Sequence, residues 1–242
     1  MASLGLRACQ SAASLFGWDL QKVKRAASPL ANLRRLLRCH TPQLIIDCGA
    51  YEGGFGRHCR RAGYRGPILS FEPVSDIYAG LAKTAERDGG WKAIQCAIGK
   101  EEREQMMNVG GRTLSSLFAP SGKTDFKFHL DRSERVKVRR LDSIMAEMNV
   151  ASDIPLLLKT DTQGSDLDVL LGAGERIAQV QSLMIEMSVQ SIYDGTPSHW
   201  QILDFARENG FEPFGFYVIS RDKKDRIIEY DCQFVRMSNP SH

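Results

Sequence analysis

Leu44-Ile45-Ile46-Asp47-Cys48-Gly49-Ala50-Tyr51-Glu52-Gly53-Gly54-Phe55 is the stretch on which the fold turns. A short apolar run reads as a buried strand that carries an acid near its end. A glycine-rich turn follows and opens a helix. Glycines at such a turn let a ligand approach the backbone with no Cβ in the way. A pyrophosphate site wants bare N–H groups and no extra anion, whereas a cationic ligand head is served by a carboxylate, here Asp47. The spacing also argues against a dinucleotide: Gly49 and Gly53 lie four apart, and no G-x-G-x-x-G runs through Gly53, Gly54 and Gly56. The plainer reading is a turn that only packs its helix on the sheet.

Outward from this stretch, short apolar runs alternate with helix-compatible segments. Leu44–Cys48, Ile68–Phe71, Ala93–Ala97, Leu156–Leu158 and Ser182–Ile185 read as buried strands. Val74–Arg87, Asp166–Leu171 and Trp200–Glu208 read as helices between them. That alternation implies βαβ crossovers and an α/β fold with a largely parallel sheet. Pro213–Ser220 and Ile227–Arg236, joined by the charged run Arg221–Arg226, read as a terminal antiparallel hairpin. The interval between residues 97 and 156 is too long for a simple crossover. Within it Gln105–Val109 and Arg135–Leu141 alternate like strands, so an inserted β-arm beside the site is expected.

Residues 1–40 read as a helical preface, with a domain expected over 41–238. Ser28-Pro29 reads as an N-cap with proline at the first helical position. Leu30, Leu33, Leu36 and Leu37 repeat at helical spacing among Arg34, Arg35 and Arg38, and Thr41-Pro42 stops the helix. The bland reading is a basic amphipathic helix on the domain edge; the sharper one is a partner-binding helix or peripheral membrane contact through residues 1–40.

The 242 residues carry 32 Lys+Arg against 29 Asp+Glu, a net charge of +3 that does not advertise a nucleic-acid surface. The charge is uneven: residues 1–40 hold seven basic side chains and one acid, Asp19. The six cysteines form no CxxC pair, so free thiols in a reducing compartment are expected, and with no spanning apolar run a cytoplasmic protein. No His/Cys/Asp cluster has metal-ligand spacing, and no metal is expected.

Ile68-Leu69-Ser70-Phe71-Glu72-Pro73 is the second signal. Glu72 ends the next strand about 25 residues after Asp47, where an acid in a doubly wound fold can accept both ribose hydroxyls. Two acids at successive strand ends point to an adenosine-type ligand; a helix cap or surface carboxylate is the plainer reading of Glu72 alone.

These residues carry a resemblance. Asp47-Cys48-Gly49-Ala50, Phe71-Glu72-Pro73 and Ala97-Ile98-Gly99 look like the cofactor motifs of S-adenosylmethionine-dependent methyltransferases. Ser115-Ser116-Leu117, Val138–Asp142, Lys159-Thr160-Asp161-Thr162-Gln163-Gly164-Ser165-Asp166, Val169–Ala173 and Ile185-Glu186 resemble the FkbM type in order and content. The resemblance covers about residues 40–236, with Tyr51 where the family often has Asn and Asp166 where Glu is usual.

What the resemblance implies is a class I, Rossmann-like, mostly parallel seven-stranded sheet and S-adenosylmethionine as cofactor. Asp47, Gly49, Ala50, Gly53, Glu72, Pro73, Ala97, Ile98 and Ser116 would bind it. It further implies methyl transfer to oxygen, on a small molecule or a glycan; the +3 charge and the absence of an Asn/Asp-Pro-Pro-aromatic motif where Asp161-Thr162-Gln163-Gly164 stands count against methylation of nucleic acid. Asp161, at the end of a central strand, is the candidate base or donor anchor, and Gly164 permits the turn behind it. Ser165, Asp166 and Asp168 would cap the next helix. Lys159 inside an apolar strand needs a partner, with Asp142, Asp161 or Glu186 in reach, or else orients the acceptor. Glu186 would accept from the acceptor hydroxyl or cap a loop. His199, at a helix start, is a candidate base whose plainer reading is a surface residue. A catalytically idle nucleoside- or partner-binding module on the same fold is the competing class.

Overall fold

The computed structural model describes residues 29–110, 114–123 and 130–237, and of the first 28 residues only positions 12 and 15. Ser28, the expected N-cap, lies outside the described residues, as does most of the preface. Helix α1 (Pro29–His40) leads into β1 (Leu44–Cys48), α2 (Gly54–Ala62), β2 (Ile68–Phe71), α3 (Ser75–Asp88) and β3 (Trp91–Ile94). After the arm described below come β7 (Leu156–Thr160), α5 (Asp166–Gly172), β8 (Val180–Ser188), α6 (His199–Glu208), β9 (Phe211–Arg221) and β10 (Ile227–Arg236). The seven-stranded sheet runs β3-β2-β1-β7-β8-β10-β9. Only β10 runs against the other six strands, so the terminal hairpin places β10 between β8 and the edge strand β9. This is the class I Rossmann-like arrangement. The order reverses at β1/β7, a switch point whose crevice opens at the carboxyl ends of the strands.

Strand alternation loads both faces. Ile46, Leu158 and Leu183 meet α4 (Leu141–Glu147), α5 and α6 through Ile144, Val169 and Ile202. Ile45, Ile68 and Leu157 meet α1, α2 and α3 through Leu33, Cys59 and Leu81. Leu33 and Leu36 of α1 are buried, so this basic helix packs by its leucines and turns its arginines outward. Among the described residues no helix is long and apolar enough to cross a membrane.

The expected arm is a second sheet of β4 (Ala97–Ile98), β6 (Leu130–Arg139) and β5 (Arg103–Gly110), in that order. It corrects two boundaries. Ala93–Ala97 is not one strand: the Cys96 N–H folds back to the Ile94 carbonyl at 3.2 Å, and Ala97–Ile98 crosses to the second sheet. Leu141 opens α4 instead of ending β6, because Asp142 accepts from the Ser143 N–H at 2.7 Å and holds the first turn.

Candidate active site

The carboxyl ends of β1, β2 and β7, with the β4–β6–β5 arm, border an open cleft of about 650 Å³ counted with the solvent at its mouth. Its near wall is the turn after β1. The Gly49 and Ala50 N–H groups donate to the Phe71 carbonyl, and Gly53 N–H closes the turn on Ala50 O at 2.8 Å. Gly49 has φ +73°, and a Cβ there would stand 1.9 Å from the Asp161 carbonyl oxygen. The glycine is therefore required by the meeting of two backbones as well as by the cleft. Tyr51 also adopts φ 49°, a left-handed conformation that Asn tolerates better than most residues. Gly53 lies away from the cleft: its bare Cα makes room for the Trp91 ring, 2.9 Å from where a Cβ would sit. Its place supports packing of α2 and Ala50 serves the turn, so neither is among the residues that line the cleft.

Glu72 lines the cleft and is almost fully buried. It accepts from Tyr51 N–H at 2.9 Å and Val74 N–H at 3.0 Å. Burial pushes its carboxyl up to about 7 against the pull of those two donors. Pro73, Ala97 and Ile98 line the same cleft, joined by Cys96, Met107 and Leu117 as an apolar slot.

Beyond them lies a charged cluster on β7 and β8. Asp47 and Lys159 are register partners on β1 and β7, and Lys159 Nζ stands 3.3 Å from a carboxylate oxygen of each of Asp47 and Asp161. It also donates to Gly49 O at 3.1 Å. Burial alone would lower the ammonium, but Asp161 and Asp47 hold it above its ordinary value. Asp47 is fully buried beneath the turn, where burial raises it and Lys159 opposes the rise. Its charge is thus spent on Lys159, and a cationic ligand head does not reach it directly. Asp142, another expected partner of Lys159, pairs with Arg140 instead.

Asp161 faces the cleft. Burial raises its carboxyl, but Lys159 and the hydrogen bonds from Glu186 and Gln163 together outweigh that and keep it below the usual carboxylate range. Glu186 stands well above that range, through burial first and then the charges of Asp161 and Glu229. Gln163 binds the two together: its Nε2 donates to Glu186 Oε2 at 2.7 Å and to Asp161 Oδ1 at 3.3 Å. Its Oε1 accepts from the Tyr193 hydroxyl at 2.9 Å. Neither Gln163 nor Tyr193 was singled out from the sequence; Tyr193 lies 30 residues from Gln163, with no shared motif.

Two further expectations need correction. Ser116 does not face the cleft: its hydroxyl donates to Gln163 O at 2.6 Å and accepts from Phe118 N–H, while the neighbouring Ser115 lines the cleft. Ser165 does not cap α5 with its hydroxyl. Asp166 instead accepts from Thr162 N–H at 3.1 Å, and Asp168 reaches Lys100 at 3.3 Å. His199 lies outside the cleft lining, its half-buried ring 4.6 Å from that of Trp200, and burial lowers its pKa.

The comparison that decides the family is a match of residues 47–213 to the Methyltransferase FkbM domain. The chain belongs to the FkbM methyltransferase family. It is 26% identical over 144 residues to Methyltransferase 1 of Beauveria bassiana, covering 53% of this chain and 57% of that one. It is 23% identical over 218 residues to the AMB antimetabolite synthetase AmbE of Pseudomonas aeruginosa, covering 87% of this chain and 9% of that protein. The chain thus spans just over half of one relative and a small part of the other. Among solved structures, M. capricolum TrmK in complex with S-adenosyl-homocysteine aligns at TM-score 0.47 and 10% identity, over 88% of this chain and 70% of that one.

The cofactor of this FkbM chain is S-adenosylmethionine, and the residues present fit it. Ser115 Oγ and Ser165 Oγ are buried with no hydrogen-bond partner in the protein, and both residues line the cleft. Buried hydroxyls are seldom left unpaired, so two of them lining the cleft mark a place for polar ligand atoms. The apolar slot suits a flat base, and Glu72 keeps acceptor capacity for a diol beyond its two backbone donors.

Proposed function

We propose that this FkbM-family chain methylates oxygen, on a hydroxyl of a small molecule or a glycan, with residues 41–238 as the transferase domain behind the 1–40 preface. Glu72 would hold the donor's ribose, the slot of Pro73, Cys96, Ala97 and Ile98 its adenine, and Ser115 and Ser165 its amino-acid end. Bound there, S-adenosylmethionine supplies a methyl group on an electrophilic sulfonium. The observation that carries the reading is a carboxyl pair bridged by Gln163, with Asp161 on the cleft: Lys159 stands 3.3 Å from Asp161 and helps hold it below the usual carboxylate range, while burial and the Asp161 charge hold Glu186 above it. Two neighbouring carboxyls pushed apart in this way commonly divide acid and base roles.

In this arrangement Asp161 accepts a hydrogen bond from the acceptor hydroxyl and takes its proton as the oxygen gains the methyl group. Gln163 fixes the carboxylate's direction by bonding both members of the pair, and Tyr193 fixes Gln163 in turn. Lys159 is a positioning residue, tied to the Gly49 carbonyl and both aspartates. A base so placed is worth roughly 10²–10⁴-fold in rate.

The test incubates the full chain with methyl-labelled S-adenosylmethionine and a panel of sugars, glycans, phenols, amines and RNA, and identifies the methylated atom by mass spectrometry. Ether products from hydroxyl acceptors, reduced roughly 10²–10⁴-fold in Asp161→Asn with near-normal S-adenosylhomocysteine binding, support the proposal. Methylated nitrogen in any acceptor would refute the oxygen assignment, methylated RNA would refute the small-molecule or glycan acceptor, and donor binding without transfer to any acceptor favours the idle module. Weak product binding in Asp161→Asn would instead make that residue the donor's anchor.

A further inference from the structure

A second feature lies at the opposite end of the strands from the cleft. Helices α1 and α2 pack side by side through Leu33, Leu37, Cys59 and Ala62. From Pro29 to Arg65 the chain carries seven arginines, at 34, 35, 38, 57, 60, 61 and 65, and two acids, Asp47 and Glu52. Asp47 is buried on Lys159 and cannot offset them. Only Arg60 of the seven has a carboxylate at ion-pair distance among the described residues, Asp88 at 2.6 Å, whose charge also acts on Arg65. Arg34 and Arg38, one helical turn apart, border an open groove with Arg65, and Leu37, Pro42 and Tyr64 complete it. The groove sits beside Pro42 and Tyr64, just ahead of β1 and β2, at the amino ends of strands whose carboxyl ends form the cleft.

Guanidinium groups around partly apolar walls match a phosphate that carries an apolar body. Basic residues 7, 22, 24 and 25 precede this surface in the sequence, against the single acid Asp19. An RNA substrate would have to span the strands, about 16 Å, to join this groove to the cleft. A lipid surface at the same place leaves the cleft open to water. We propose that the α1–α2 arginine face seats the protein on an anionic membrane, with lipid phosphates entering the groove of Arg34, Arg38 and Arg65.

The test is flotation of the full chain with vesicles of phosphatidylcholine alone and of equal parts phosphatidylcholine and phosphatidylglycerol. Binding only to the mixed vesicles, falling as salt shortens the Debye length, is expected. Arg34→Ala with Arg38→Ala should weaken partitioning by roughly 10–30-fold. Arg34→Lys with Arg38→Lys should retain most of it. S-adenosylhomocysteine titration of each variant should match the wild type and so report an intact fold. Equal affinity for neutral vesicles, failure to bind the mixed ones, or indifference to the alanine pair would overturn the proposal. So would release by inorganic phosphate beyond that by chloride at equal ionic strength, which would mark a free-phosphate site. A short single-stranded RNA binding the alanine-sensitive surface in place of vesicles would overturn it as well.

Discussion

At the scale of single residues, Glu72 and Lys159 show how burial converts a side chain into a site. Glu72 stands at about 7, and only its ionised form can accept from both hydroxyls of a ribose. Product affinity should therefore rise with pH through 7 and level off above it, with a limiting slope of about tenfold per pH unit below. Calorimetric titration with S-adenosylhomocysteine across this range checks it; a flat profile would remove Glu72 from the ribose. Lys159 is different in kind, because its charge is matched inside the protein. Lys159→Met leaves Asp47 buried without its counterion, and roughly 3–5 kcal/mol of stability should be lost. Asp47→Asn added to that variant should recover part of the loss, and denaturant melts of the two singles and the double measure the coupling. Sequence reading identified Lys159 as a buried cation in need of a carboxylate. It assigned Asp47 to the ligand because the β1–β7 register that joins the two is a tertiary fact.

At the scale of elements, the legible parts were those fixed by local periodicity. β1, β2 and the boundaries of α5 and α6 fall within a residue of the sequence reading, since apolar runs and helix starts are local signals. The arm was legible as extra strands, but its contact with the site was not. In the segment that bridges Asn108 and Ser116, adjacent side chains point to opposite sides, so the choice between Ser115 and Ser116 depends on register alone. Ser116 proves to be the latch that ties the arm to the turn after β7 through Gln163 O. Ser116→Ala should cost about 1–2 kcal/mol of stability, as expected for a hydrogen bond whose acceptor is left buried. It should also weaken product binding, because Leu117 and Met107 on the arm line the slot. Loss of stability with unchanged binding would separate the arm from the cofactor site.

At the scale of the whole molecule, the uneven charge and the buried carboxyls set how the fold responds to its surroundings. Glu72 at about 7 and Asp231 at about 6 both lie above their ordinary values through burial. Their contribution is full below the ordinary carboxylate range and is lost as pH rises through 6 and 7. Asp88 and Asp142, lowered by their arginines, and Asp222, at about 2, act the other way, and their contribution is lost as pH falls through and below that range. The melting temperature should therefore be highest at about pH 5 and decline toward pH 8, and a melt series in matched ionic strength would show a rise over that interval if the assignment were wrong. All of these features converge on one structural claim, that the cleft between the β1 turn and the arm holds the methyl donor through Glu72. The most direct measurement is calorimetric titration of the wild type and Glu72→Gln with S-adenosylhomocysteine, above pH 7. One saturable site in the wild type, weakened by about 1–3 kcal/mol in Glu72→Gln with an unchanged melting profile, is the predicted result. Equal affinity in the two proteins would contradict it.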